Sequence, residues 1–372
     1  MDQDTVYKIA LSMIPDITAD VVRSLEANGI GLEDFFTLNM PELESRLGLG
    51  RGGRFQNSSR EEALFRARSE LEFVRRHSIR VLFLLDDDYP PLLREIPDAP
   101  VTLYVLGRAD LSAQPVFNVV GTRKCTAYGT SFCNTLITDL SAYYPGALVI
   151  SGLAYGIDAA AHMAALQNGL ATVAVMAHGL DMVYPASHRD LARRIIETGG
   201  ALVSEYPSGT RPFRNNFLQR NRIVAGLSEL TFVVESEVKG GAMSTANQAF
   251  SYNREVVALP GRYSDITSGG CNRLIANSKA HIFTSVPDLM NLMGWRLPTL
   301  TMNKPPQKVL FPELEGDLAR VYAVLRRAAG PLAIDEIHVR TGMAMPSLMA
   351  ALTDLEFEGI VMKLPGARYE CS

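Results

Sequence analysis

Residues 147–167 read ALVISGLAYGIDAAAHMAALQ, and this stretch decides the fold. It begins with a short run of apolar residues, continues through a turn that contains two glycines, and ends in a segment with helical spacing. Because the apolar run has no polar alternation, it predicts a strand that is buried on both faces. A strand, a turn and a helix in this order are the repeating unit of a parallel α/β sheet.

The same alternation of strand and helix extends outward in both directions. Strands are predicted at residues 81–85, 102–107, 116–121, 147–152, 171–177, 201–206, 230–235, 255–261 and 281–283. Helices are predicted between most of them, at about residues 129–143, 158–167, 188–198, 216–226, 242–252 and 272–280. Right-handed crossovers then give an α/β fold, a Rossmann-like doubly wound parallel sheet over residues 80–295.

The two ends of the chain differ from this pattern. Residues 1–75 predict an all-helical domain, similar to a SAM or helix-hairpin-helix module but without the glycine amides that such a hairpin offers to phosphate. Residues 296–316 contain several prolines and predict a linker. Residues 317–372 predict three helices and a hairpin, the order of a winged helix, whose third helix carries Asp354 and Glu356 and no lysine or arginine. Rather than DNA reading, we therefore expect a structural or protein-contact role for the N-terminal domain, and protein contact or dimer support for the C-terminal domain.

Composition limits the possible functions. The chain has 372 residues, of which 47% are hydrophobic and 20% charged, and its net charge is −4, so a nucleic-acid site has to be a local patch. The sequence has no apolar run long enough for a membrane span and begins with the acidic segment MDQDTVYK, which predicts a cytoplasmic protein. The four cysteines have no CxxC spacing, so we expect reduced thiols and no metal.

One basic stretch stands out against the acidic average. Residues 206–227 read YPSGTRPFRNNFLQRNRIVAGL, with no acidic residue between Glu205 and Glu229. Its charged and aromatic residues are Arg211, Arg214, Arg220, Arg222, Phe213 and Phe217. Guanidinium groups pair with phosphates and flat rings stack on unpaired bases, which favours a site for single-stranded nucleic acid. The alternative is that the phenylalanines belong to the core and that the arginines form a solvated face or pair with carboxylates. Arg220 is the arginine we most expect to pair with a carboxylate such as Glu205 or Glu235.

Three turns should lie next to this stretch, because ligands of such sheets bind outside the carboxyl ends of the strands. Each turn combines glycine with a small or basic neighbour, and the residues are Gly121, Thr122 and Arg123; Ser151 and Gly152; and Lys239, Gly240 and Gly241. Glycine permits close approach of a ligand to backbone amides, and the helix after each turn adds further donors. The turns at Gly121, Gly152 and Gly240 are therefore predicted phosphate sites.

Enzymatic alternatives have weaker support. The GxGxxG and Walker A patterns are absent, so no nucleotide cofactor is expected. A nucleotide phosphoribohydrolase shares this type of sheet, but Asn247 stands near the place of its catalytic glutamate, and an amide cannot act as the acid or base. Asp158 and His162 are four residues apart and could form a metal or proton-relay pair, although an N-cap and close packing explain them better. We expect no catalytic residue and keep the nucleotide-processing enzyme as the alternative.

Seven motifs in fixed order resemble the DprA (Smf) family of DNA-processing proteins. They are VVGTRKCTAYG, VISGLAYGIDAAAH, HGLDMVYPASH, GGALVSEYPSGTRP, NNFLQRNRIVAGLS, VVESEVKGGAMSTANQA and ALPGRYSDITSGGCNRLI, all between residues 119 and 275. The resemblance implies a homodimeric, non-catalytic protein that binds single-stranded DNA during natural transformation and helps to load the RecA recombinase.

The resemblance also implies which residues contact the strand. By analogy with the family these include the arginine of the GTR motif, Arg123, and a basic and an aromatic residue before the RNR segment, Arg214 and Phe217. Lys239 should line the same pocket. Together with the turns, the predicted DNA-binding residues are Gly121, Thr122, Arg123, Ser151, Gly152, Arg214, Phe217, Arg220, Asn221, Arg222, Lys239, Gly240 and Gly241.

Overall fold

The computed structural model describes residues 2–15, 17–47, 57–295, 314, 316–328, 330–357, 360–364 and 368–371. The chain divides into two compact units, residues 1–298 and residues 299–372. Nearly all of the predicted linker, residues 296–316, lies outside the described residues. The boundary expected between the helical domain and the sheet, at residues 75–80, falls inside the first unit and remains a prediction.

A nine-stranded sheet forms the centre of the first unit. Its strands are β1 (Arg80–Phe83), β2 (Thr102–Gly107), β3 (Val116–Val120), β4 (Leu148–Ser151), β5 (Ala171–Val175), β6 (Ala201–Ser204), β7 (Leu230–Val233), β8 (Glu255–Ala258) and β9 (His281–Ile282). Their spatial order is β1-β2-β6-β5-β4-β3-β7-β8-β9. Strands β3 to β9 are parallel, as predicted, but β1 and β2 are antiparallel to their neighbours and extend the sheet at one edge.

Helices cover both faces of this sheet. The sheet helices are α6 (Pro91–Arg94), α7 (Ala127–Tyr143), α8 (Ile157–Gln167), α9 (Arg189–Glu197), α10 (Arg214–Gly226), α11 (Gly241–Ser251), α12 (Gly269–Ala276) and α13 (Val286–Met293). Two short 3-10 turns lie at Ala186–His188 and Ile266–Ser268. The predicted doubly wound α/β fold is confirmed.

Strand β3 illustrates why these runs form central strands. All five of its residues are buried, and successive side chains point to opposite faces of the sheet. Val116 and Val120 join the core on one face, whereas Phe117 and Val119 join the core on the other. A strand covered on both faces is mostly apolar, and the one polar residue of β3, the buried Asn118, donates to the Val224 carbonyl and to the hydroxyls of Ser228 and Thr231.

The strand order reverses between β3 and β7. Strands β3, β4, β5 and β6 are placed one after another in one direction, and β7, β8 and β9 continue in the other. The crossovers from β3 and β7 therefore leave on different sides and open a crevice outside their carboxyl ends. This places the crevice beside the turn after Val120 and the turn after Val233.

In the described part of the chain, five helices precede the sheet: α1 (Asp2–Met13), α2 (Ala19–Ala27), α3 (Leu32–Thr37), α4 (Met40–Arg46) and α5 (Asn57–Arg76). They pack on the β1–β2 edge. Lys8 forms an ion pair of 2.8 Å with Asp86, and the Thr102 hydroxyl donates a 3.1 Å hydrogen bond to the Lys8 carbonyl. The described residues of the range 1–75 form helices and no strand, as predicted. The likeness to a SAM or helix-hairpin-helix module stays a prediction.

The second unit has the predicted order of a winged helix. Its elements are α14 (Gly316–Arg326), β10 (Leu332–Ala333), α15 (Ile334–Thr341), α16 (Met345–Phe357), β11 (Val361–Leu364) and β12 (Arg368–Cys371). The three strands form an antiparallel sheet in the order β10-β12-β11. Side chains such as Val321, Ile337 and Leu352 form its core, whereas Asp354 and Glu356 of α16 are exposed.

Candidate nucleic-acid interface

The turn after β3 already holds a carboxylate of the chain itself. The Thr126 backbone N–H and hydroxyl donate to Glu235 at 2.9 and 2.6 Å, at the start of α7. Glu235 is 1% exposed, and a Cβ at Gly129 would lie 2.4 Å from its Oε2. A helix N-terminus favours an anion, and here Glu235 supplies it. The phosphate site expected at the Gly121 turn is thus filled by the protein.

The turn after β4 is filled in the same way. Asp158 accepts hydrogen bonds from the N–H groups of Gly152 and Ala154, at 3.1 and 3.3 Å. The N-cap of α8 is Gly156, so Asp158 binds the turn from inside the helix rather than capping it as expected. Ser151 is fully buried, and its hydroxyl donates to the Val119 carbonyl at 2.7 Å. Neither Ser151 nor Gly152 is therefore placed to contact a DNA strand, which corrects their prediction as DNA-binding residues.

Arg220 is an internal residue. It is 4% exposed, and its Nη1 donates to the carbonyls of Gly152, at 2.8 Å, and of Val175. A Cβ at Gly152 would lie 2.5 Å from the Arg220 guanidinium, so only glycine at this position leaves room for the arginine side chain. Burial lowers the pKa of Arg220, and the neighbouring Asp158 opposes that shift. Arg220 links α10 to the turn after β4 and to β5 and does not reach the surface. This corrects its prediction as a DNA-binding residue.

Arg222 points away from the crevice. Its Nη2 donates to Glu205, and its Nε lies 3.9 Å from Asp98. These side chains line a cavity of about 210 Å³ between the N-terminal helices and the sheet. Arg222, not Arg220, is therefore the arginine paired with Glu205, and it is removed from the predicted contact set.

An exposed cluster of cation and rings lies above the buried Arg220. The Arg123 guanidinium lies 5.5 Å from the ring centroid of Phe217, and the Tyr184 ring lies 5.7 Å from Phe217 at an angle of 58°. Arg123 is exposed, Tyr184 is 47% exposed and Phe217 is half-buried. Guanidinium and aromatic groups that are held in contact but open on one side offer a stacking surface for a base.

Tyr155 is a further exposed ring that the sequence reasoning missed, as it missed Tyr184. Its hydroxyl lies 2.9 Å from the Ser187 hydroxyl, and its ring contacts His188 edge to face at 4.9 Å. The next residue, Gly156, has φ +77°, and a Cβ there would lie 2.2 Å from the Thr122 carbonyl. Their position in the sequence could have identified them, because each tyrosine lies in the segment that follows the carboxyl end of a parallel strand.

The third turn stays open. Lys239 and Gly241 are exposed, and the first turn of α11 carries no acidic side chain. The side-chain amide of Asn221 on α10 donates to the Gly241 carbonyl at 3.5 Å, which joins this turn to α10. A lysine beside the N-terminus of an eleven-residue helix is suited to a phosphate. Arg214, at the exposed start of α10, adds another cation.

The enzymatic alternative gains no support from the geometry. The Asn247 amide donates to the Met243 carbonyl at 2.7 Å and accepts from Lys279 at 2.8 Å, on an exposed part of α11. Among the described residues, no group of three His, Cys, Asp or Glu side chains could hold a metal ion. In the same part of the chain, no helix is both long and apolar enough to cross a membrane.

His162 is a core residue rather than a metal ligand or proton relay. It is fully buried, and its Nδ1 lies 2.7 Å from the Thr172 hydroxyl, which itself donates to the Val149 carbonyl at 2.8 Å. The hydroxyl hydrogen is therefore committed, so Nδ1 carries the proton and donates. Burial lowers the pKa of His162 to about 3. The charged form is strongly disfavoured in the folded protein.

This burial predicts acid sensitivity. Between pH 6.5 and 3 the unfolded chain takes up a proton at His162 that the folded chain does not, so the free energy of unfolding falls as the pH falls. By pH 5 the loss is about 2 kcal/mol. His162→Asn should reduce by that amount the difference in unfolding free energy between pH 7.5 and pH 5, as measured by urea denaturation. The exposed His77→Asn serves as control and should keep the wild-type difference; an unchanged difference in His162→Asn would contradict the prediction.

Comparisons with known proteins agree with this fold. A family model described as DNA recombination-mediator protein A matches residues 80–294, and one described as DprA winged helix domain matches residues 305–367. The Smf protein of Synechocystis sp. is 35% identical over 322 residues, 77% of this chain and 78% of the relative.

Two solved structures are also similar. The DNA processing protein A of Streptococcus pneumoniae has a TM-score of 0.65 and 33% identity, over 77% of this chain and 97% of the relative. That of Helicobacter pylori, described for its single-stranded DNA binding mode, has a TM-score of 0.52 and 28% identity, over 58% of this chain and 95% of the relative. The order of the elements, the crevice and these similarities lead to one conclusion: the chain belongs to the DprA/Smf family of DNA-processing proteins.

Proposed function

We propose that this protein binds single-stranded DNA stoichiometrically, without chemistry, across the crevice at the carboxyl ends of β3 and β7. The observation that carries the proposal is the exposed contact of Arg123 with Phe217, beside Tyr184. Stacked bases would lie on these rings, and sequence preference would be weak because every base has a flat face. The Helicobacter pylori relative, described as binding single-stranded DNA, supports the same class of ligand.

The charges support a single path for the strand. Arg123, Arg214 and Lys239 are exposed cations on three elements that meet at the crevice, and the N-terminus of α11 lies beside Lys239. The other two predicted phosphate sites are occupied by Glu235 and Asp158. We therefore assign the phosphate contacts to these cations and to the Gly240–Gly241 turn, with Gly121, Thr122 and Asn221 as neighbours that shape the surface.

The decisive experiment is fluorescence anisotropy with a labelled poly-dT strand and with the corresponding duplex, at about 50 and 200 mM salt. We expect a preference for the single strand, and Arg123→Ala should weaken binding about 5- to 150-fold, since stacking of one base contributes about 1–3 kcal/mol. The slope of log affinity against log salt concentration is negative, and loss of one phosphate contact should reduce its magnitude by about 0.7.

Arg108→Ala is the matched control for this measurement. Arg108 is exposed and comes after Gly107, which pairs with Ala201 at the start of β6, so it lies at the opposite edge of the sheet. Its replacement removes the same charge and should leave binding almost unchanged. Equal effects of the two substitutions would contradict the assigned site, and turnover of a nucleoside monophosphate would favour the enzymatic alternative.

The wider role that we propose is the one that the family implies. The matching family is described as a recombination mediator, which supports RecA as a protein partner and the cytoplasm as the place of action. A homodimer would present two crevices to one strand and so increase avidity. The exposed Asp354 and Glu356 would repel DNA, which supports protein contact for the winged helix. Sedimentation of the protein and RecA filament assembly on coated single strands, with and without it, test these points.

A further inference from the structure

Glu70 is a buried acidic residue that the proposed strand contacts do not use. It lies on α5, in the N-terminal helices, and is 5% exposed. Both of its carboxylate oxygens accept from one residue that is 138 positions away: Oε1 accepts the Ser208 N–H at 3.0 Å and Oε2 accepts the Ser208 hydroxyl at 2.5 Å. Burial of a carboxylate is unfavourable unless hydrogen bonds compensate it, and here those bonds go to a loop.

The same loop is held from a second direction. Asp181, in the segment after β5, accepts the Gly209 N–H at 3.0 Å, and the Thr210 carbonyl accepts the Gly179 N–H at 3.0 Å. Gly209 has φ +78°, a backbone conformation that favours glycine. Consecutive amides of residues 208 and 209 are thus bound by two carboxylates from different parts of the fold, which leaves the loop little freedom.

The loop leads into the helix that carries two of the proposed strand contacts. Residues 211–213 connect it to α10, which begins at the exposed Arg214 and carries Phe217 one turn later. Phe213, the N-cap of α10, is 63% exposed, so packing of its side chain contributes little to holding the start of the helix in place. The hydrogen bonds at Ser208, Gly209 and Thr210 therefore anchor the chain just before the start of α10.

We propose that Glu70 is a positioning residue through which the N-terminal helices hold the segment 207–214 in the conformation that binds a strand. The inference rests on the proposed function, because it assumes that Arg214 and its neighbours meet DNA. It gives the N-terminal helices a role in strand binding without any contact of their own with the strand. A positioning residue changes the fraction of molecules that are ready to bind and leaves the number of ionic contacts unchanged.

The test compares four single substitutions by anisotropy with labelled poly-dT between about 50 and 200 mM salt, on the full chain. Glu70→Ala removes both acceptors. In Glu70→Gln the amide oxygen can still accept from the Ser208 N–H, and the amide NH2 group can donate to the Ser208 hydroxyl oxygen. Glu72→Ala removes the same charge from an exposed position on the same helix. Arg214→Ala removes a proposed direct contact. Hydrogen exchange of the amides of residues 206–213 and thermal unfolding are measured on each variant.

The expected pattern separates positioning from contact. Glu70→Ala should weaken binding about tenfold if the loop is then in its binding conformation about a tenth of the time. It should leave the salt dependence of the affinity unchanged and increase the rate of amide exchange in the loop. Arg214→Ala should instead reduce the magnitude of the salt slope by about 0.7. Glu70→Gln should restore most of the affinity, and Glu72→Ala should match the wild type.

Other outcomes overturn one idea or the other. Wild-type affinity in Glu70→Ala, with weakened binding in Arg214→Ala, would refute the positioning role and leave the proposed function standing. No effect of either substitution, together with no effect of Arg123→Ala, would refute the proposed site itself. Should Glu70→Ala fail to fold, Ser208→Ala removes the side-chain half of the contact from the loop, and unchanged affinity and exchange there would count against the inference.

Discussion

Arg220→Ala should lower the free energy of unfolding by about 3–5 kcal/mol, the largest effect that we expect from a single substitution in this protein. The guanidinium is 4% exposed and donates to the carbonyls of Gly152 and Val175, so its loss leaves two buried acceptors without their donor. Asp158, which interacts electrostatically with Arg220, would also lose its compensating charge. Urea denaturation followed by circular dichroism measures the change.

Arg214→Ala is the matched control for Arg220→Ala. It removes the same side chain from the same helix, but at an exposed position, and should change the unfolding free energy by less than about 0.5 kcal/mol. The two variants should therefore separate by property: Arg220→Ala loses stability, and Arg214→Ala loses affinity for the strand. Equal stability of the two variants would mean that Arg220 is not the internal tie between α10 and the turn after β4.

Glu235→Ala should lower the free energy of unfolding by about 2–4 kcal/mol, because hydrogen bonds to charged groups contribute about 1.5–3 kcal/mol each and are not fully additive. Both donors of Thr126 lose their acceptor, and the start of α7 loses the anion that its amides favour. Thermal and urea unfolding measure the loss.

Glu237→Ala provides the comparison for Glu235→Ala. Glu237 lies two residues later in the same segment and is exposed, and its replacement removes the same charge. This variant should stay within about 0.5 kcal/mol of the wild type. A small effect at Glu235 would show that its carboxylate is dispensable and would return the Gly121 turn to the set of open phosphate sites.

Much of the fold could be predicted from local pattern. Mostly apolar runs such as residues 116–120 and 147–152 identified the central strands, since a strand covered on both faces lacks the regular apolar–polar alternation of a half-exposed strand. Strands β1 and β2, the last two strands at one side of the sheet, are also rich in apolar residues, and nothing in their sequence separates antiparallel from parallel pairing. Pairing direction depends on how the chain returns to the sheet, which is a property of the whole fold.

The candidate site was predictable only as a region. The position of the crevice could be inferred from the strand ends; Arg123 and Lys239 are exposed, and the half-buried Phe217 contacts Arg123. The sequence did not distinguish Arg220 from Arg222. Successive helix residues turn by about 100°, so these two arginines leave α10 on opposite sides, and one meets Gly152 while the other meets Glu205.

The sequence by itself determined the order of strands and helices along the chain and the glycine turns that follow the strands, because each of these depends on residues that are close together in the chain. Only the tertiary structure decided which turns stay open. Glu235 and Asp158 fill two of them with the protein's own carboxylates, and Glu70 reaches the loop before α10 from 138 residues away. Such contacts join residues that are far apart in sequence, and whether a charge is available to a ligand depends on them rather than on its neighbours in the chain.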